Sequence, residues 1–84
     1  MLYQNYPNPF NPETNIRFDL LQKAKIKITV YDVTGRETAC LANRELPAGK
    51  YEINWNAGNY AAGVYFYRIE TEDFVSAKKM ILLK

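Results

Sequence analysis

Apolar and polar residues alternate along most of the chain with a period of two. In "TNIRFDL", Ile16, Phe18 and Leu20 fall on one side and Arg17 and Asp19 on the other. That is the pattern of a strand with one buried and one wetted face. "KAKIKITVYDV" repeats it, with Ile26, Ile28 and Val30 inward and Lys25, Lys27 and Thr29 outward. "GKYEINW" sets Tyr51, Ile53 and Trp55 against Glu52 and Asn54. In "GVYFYRIE", Tyr65, Tyr67 and Ile69 share a face, but Val64 and Phe66 make the second face apolar too. This predicts a central strand packed on both sides. No window has the i, i+3, i+4, i+7 spacing of an amphipathic helix. The chain reads as all-β.

The turn chemistry agrees. Asp32-Val33-Thr34-Gly35 suits a type I turn with glycine at positive φ. Gln22-Lys23 and Glu72-Asp73 mark tight reversals, while "ELPAGKY" and "NAGNYAAG" are wider loops bent at Pro47, Gly49 and Gly63. Strands are predicted near residues 14–21, 24–33, 36–42, 50–55, 63–71 and 74–83. A seventh, from Leu2 to Asn5 or near Glu45, would complete an antiparallel β-sandwich.

The opening "NYPNPFNPETNI" fits neither regular class. Pro7, Pro9 and Pro12 lack a donor and push Tyr6, Asn8 and Asn11 toward extended backbone. Asn8 and Asn11 are expected to close Asx-turns. Residues 1–13 are read as a stiff lead-in whose Phe10 plugs one end of the core, and residues 14–84 as the sandwich, together one domain.

Composition narrows the chemistry. At 84 residues and 48% hydrophobic, the chain supports one small core. With no histidine and one cysteine, Cys40, it holds no intrachain disulfide, no Cys–His or Ser–His–Asp machinery, and no common zinc site. Cys40, in "RETACLA", is read as a compact buried hydrophobe. The acidic residues show no EF-hand spacing and no acid/base pair. Glu70, Glu72 and Asp73 read as a polar hairpin tip. No catalytic residue, cofactor or metal is expected. A net charge of +2 does not point to nucleic acid. Lys23, Lys25 and Lys27 with Tyr31 form either a phosphate track or a solvated strand face. Tyr3, Tyr6, Tyr31 and Tyr60 leave a sugar-stacking platform open. No secretory signal follows Met1, so the chain is cytosolic or a piece of a longer exported protein. The last stretch, "SAKKMILLK", is apolar on both faces. It reads either as a docked final strand or as an edge that another protein pairs with.

Taken in order, "QNYPNPFNPETNIRF", "VYDVTGRE", "LPAGKYEINW", "AAGVYFYRI" and "KKMILLK" resemble the C-terminal sorting domain, type A, of type IX secretion cargo. The likeness runs from Leu2 to Lys84. It implies an immunoglobulin-like sandwich of about seven strands, similar to the Ig-like domain of flagellar hook capping proteins. The implied function is a non-enzymatic label that directs a large cargo, joined in cis, through the outer membrane for surface anchoring or release. The implied partners are an outer-membrane translocon and a cell-surface sortase, with transit through the periplasm of a Gram-negative-type bacterium. The family's Pro-x-Gly-x-Tyr loop matches Pro47, Gly49 and Tyr51, and its Gly-x-Tyr strand start matches Gly63 and Tyr65. Its terminal element matches Lys79, Met80, Ile81, Leu82, Leu83 and Lys84. These residues are the expected translocon contacts. The sortase cleavage region lies upstream in the family, so Met1 is expected to be a cloning start. Competing readings are a carbohydrate-binding or structural module on a secreted hydrolase, and a hook-capping fragment. An exposed edge would also allow a homodimer.

Overall fold

The alternation is realised as six strands in a computed structural model that describes residues 1–83. They are β1 (Glu13–Leu20), β2 (Ala24–Asp32), β3 (Glu37–Leu46), β4 (Gly49–Asn56), β5 (Gly63–Glu70) and β6 (Val75–Leu82). β1 and β4 pair antiparallel in one sheet, and the second sheet runs β3-β2-β5-β6, also antiparallel. Between them lie the inward positions read from the sequence. Ile16, Phe18, Leu20, Ile26, Ile28, Val30, Trp55, Tyr65, Tyr67 and Ile69 are all buried, joined by Met80 and Leu82 from β6. Full burial of each large side chain stabilises the fold by about 1.5–3 kcal/mol.

The expected seventh strand takes an unexpected form. Residues 1–6 run antiparallel along β1, with isolated bridges Leu2–Phe18 and Tyr6–Asn15. The chain then crosses to the other sheet, where Phe10 makes a parallel bridge to Leu82. The prolines occupy the crossing, where missing N–H groups interrupt no ladder. Phe10 is buried, its ring centroid 5.8 Å from that of Trp55. The lead-in thus bridges both sheets through isolated pairings.

Other expectations need correction. Asn8 closes no local Asx-turn; its Oδ1 accepts from the Ile81 N–H at 3.0 Å. Cys40 is exposed rather than buried. The pairing with β2 slips at Ile28/Thr29, which leaves Leu41 out of register and sets Cys40 opposite Thr29, and Thr29, expected on the wetted face, is itself fully buried. β3 continues to Leu46 instead of stopping at residue 42, so Glu45 lies inside it. β5 is central, but its second face is not covered by another layer: Phe66 is exposed and Val64 half-buried. The lysine stripe faces acids, with Lys25 opposite Glu45, Lys27 opposite Glu70, and Lys23 in an ion pair with Glu45. Among the described residues Lys23 makes the ion pair on this stripe, while Glu70 is paired with Arg68.

The Asp32 turn forms as read. Gly35 N–H donates to the Asp32 carbonyl at 3.0 Å, and Asp32 Oδ1 accepts from the Thr34 and Arg36 N–H groups. The Thr34 hydroxyl and these amides hold the Asp32 carboxyl below the usual range.

Candidate recognition surface

The two glycine-tyrosine motifs share one geometry. Tyr51 O–H donates to the Pro47 carbonyl and Tyr65 O–H to the Ala61 carbonyl, both at 2.6 Å and both four residues back. In each, a glycine two residues before the tyrosine carries positive φ, 155° at Gly49 and 148° at Gly63. A Cβ at Gly63 would meet nothing within 4 Å, so glycine is needed there for backbone conformation and not for space. The tyrosine rings face inward: Tyr51 stacks on Phe18 at 5.3 Å, and Tyr65 meets Trp55 edge-on at 5.8 Å. Each motif fastens a loop to the start of a strand, like the tyrosine corner of immunoglobulin sandwiches.

The fold does not gather all the expected contacts. Gly63 and Tyr65 pair directly with Leu82 and Met80 on β6. Gly49 instead pairs with Leu20, at the end of the β1–β4 sheet opposite the Glu13–Asn56 pair. That pair lies near Phe10, since Ala57 N–H donates to the Pro12 carbonyl at 2.9 Å. Pro47, Gly49 and Tyr51 therefore sit at one end of the molecule, and Gly63, Tyr65 and residues 80–83 at the other. The terminal element is also divided. Met80 and Leu82 are core residues, Ile81 is half-buried, and Lys79 and Leu83 are exposed. Lys84 lies outside the described residues.

β6 is an edge strand, and its outer edge is partly occupied by the lead-in. Phe10 N–H donates to the Ile81 carbonyl at 2.9 Å, and Leu83 N–H donates to the Phe10 carbonyl at 2.8 Å. Gln4 Nε2 donates to the Lys79 carbonyl at 2.8 Å. Behind this clamp lies a polar knot that sequence reasoning missed. Buried Asn5 donates its backbone N–H to Tyr67 Oη at 2.7 Å and its side-chain amide to Thr14 Oγ1 at 3.0 Å. Tyr67 O–H in turn donates to the Tyr3 carbonyl at 2.7 Å. Burial pushes the Tyr67 hydroxyl up to about 12. Asn5 stands inside the proline-rich segment, and only that context marked it in the sequence. Tyr3 donates to Asp19, and that hydrogen bond raises its own pKa.

Residues 4–83 match the family described as Secretion system C-terminal sorting domain. Among solved structures, the chain is similar to part of PorZ, described as an essential bacterial surface component of the type-IX secretion system of Porphyromonas gingivalis. The two share 23% identity with a TM-score of 0.64, over 99% of this chain and 11% of PorZ. At that identity the likeness shows the fold. No curated protein matches.

Proposed function

The chain belongs to the secretion system C-terminal sorting domain family, and from that premise we propose how its geometry serves sorting. It is a non-catalytic signal of type IX secretion, through which cargo proteins reach the bacterial surface or are released. Such a domain interacts with the secretion machinery. In our reading the cargo is joined upstream of residue 1 and crosses the periplasm. An outer-membrane translocon then reads the folded sandwich through β6, and a surface sortase acts afterwards. The observation that carries this reading is that β6 (Val75–Leu82) is an edge strand anchored by Met80 and Leu82, with Lys79 and, just past its end, Leu83 exposed. Residues 1–13 act as the coupling between cargo and sandwich. Pro47, Gly49, Tyr51, Gly63 and Tyr65 contribute by fixing loops, and within the terminal element Lys79 and Leu83 make the direct contacts.

The test is a reporter with an export signal, fused to this domain in a host with a type IX system. Surface delivery is expected with the intact domain and lost when residues 79–84 are deleted. Undiminished delivery by the deletion would overturn the reading.

A further inference from the structure

The clamp described above covers only the upper part of the β6 edge. In an antiparallel ladder, successive residues point their backbone groups alternately to one neighbour and the other. Lys79, Ile81 and Leu83 bond outward to the lead-in, so Val75 and Ala77 also point outward, as does the Lys79 N–H. Among the described residues nothing bonds to these groups. Proteins ordinarily protect such an edge with charge or cover. The free edges of β3 and β4 carry exposed Arg44 and Glu45, and Lys50 and Glu52. The open part of β6 begins with Val75, 62% exposed, and exposed Ala77, preceded by Phe74, and carries charge only at its C-terminal end, where Lys78 and exposed Lys79 stand.

Beneath this edge, on the side facing the β1 sheet, is a groove of about 650 Å³. Its walls include Leu2, Leu20, Leu21, Phe74, Ser76 and Lys78. Side chains of a strand added to the edge would alternate between this groove and the outer face beside Val75 and Ala77. The two acids in the groove wall are engaged, Asp19 by Tyr3 and Asp73 by Gln22. Lys78 has no ion-pair partner among the described residues.

We propose that the β6 edge from Val75 to Lys79 is a strand-addition site for an extended segment of a partner protein, with apolar residues at alternate positions and a carboxylate to meet Lys78. The lead-in marks where that added strand stops, because Gln4 and Asn8 already hold the next edge groups. The inference rests on the reading of β6 as the strand presented for sorting, and it names the chemistry of what binds there.

The probe is a capped synthetic heptapeptide, Thr-Val-Glu-Val-Thr-Val-Thr, titrated into the isotope-labelled full chain and followed by NMR. Binding should shift and protect the amides of Val75, Ala77 and Lys79. Ala77→Pro removes one outward N–H without touching the β5 ladder, and should weaken binding at least about tenfold. Lys78→Glu is a second variant that keeps every backbone donor, and should weaken binding about threefold to tenfold. Absence of binding at millimolar peptide, or protection at β3 or β4 instead, overturns the proposal. So does sedimentation of the free chain as a dimer that Ala77→Pro dissolves, since the occupant is then a second copy. In the reporter assay, normal delivery by folded Ala77→Pro defeats this inference alone, whereas normal delivery by the deletion of residues 79–84 defeats the sorting reading itself.

Discussion

At the scale of the residue, three tyrosine hydroxyls divide the work. Tyr67→Phe leaves the Asn5 N–H and the Tyr3 carbonyl unsatisfied in the core, and should cost about 1–3 kcal/mol. Thermal unfolding would register this as a midpoint lowered by roughly 5 °C or more. The pH dependence reports on that hydroxyl. Because its pKa is raised on folding, Tyr67 contributes stability that is fully present below pH ~10, its ordinary value. That stability is lost as pH rises toward about 12. The alkaline decline of denaturation midpoints should therefore be shallower in Tyr67→Phe than in the parent chain. Tyr51→Phe and Tyr65→Phe remove single bonds to loop carbonyls, at about 1 kcal/mol each. If those motifs fasten loops, surface delivery of a reporter should be unchanged by either. Delivery lost without loss of fold would make them contacts. The inward faces of β1, β2, β4 and β5 were legible in the sequence, because a period of two leaves no choice of face once one side must be buried. Cys40 was misread because a bulge shifts the alternation and leaves no mark on composition. Asn5 escaped notice because a buried amide is defined by distant partners, here Thr14 and Tyr67.

At the scale of the element, the lead-in and β6 depend on each other. The proline spacing showed that residues 5–12 could not be ordinary strand. It could not show that the segment changes sheets, since the bridge to the second sheet is made with Leu82, remote in sequence. Hydrogen exchange tests the arrangement directly. The amides of Ile81 and Leu83 should exchange slowly and that of Ala77 quickly, although all three point to the same edge. Asn8→Ala should speed exchange at Ile81 by about fivefold, the equivalent of one hydrogen bond, and leave the β2–β5 ladder unchanged. Equal protection along the whole edge would mean that the clamp is not where the hydrogen bonds place it.

At the scale of the molecule, two sheets bridged by the lead-in make a body in which β6 is buried on one face and open along part of one edge. Folding is therefore what displays the signal: Met80 and Leu82 hold the strand in place so that Lys79 and Leu83 are presented in fixed positions. Phe10→Ala removes the buried ring that ties the lead-in to Trp55. It should destabilise the chain by about 3–5 kcal/mol, measurable as a shift in denaturant midpoint. The claim that a folded β6 is what the export machinery reads is tested most directly by comparing two charge reversals of equal stability in a surface-delivery assay. Lys79→Glu changes the outward side of β6, and Lys50→Glu changes an exposed position in β4. Delivery should fall at least about tenfold for the first and stay at the parent level for the second. Equal delivery by both, with melting temperatures matched, would contradict the account.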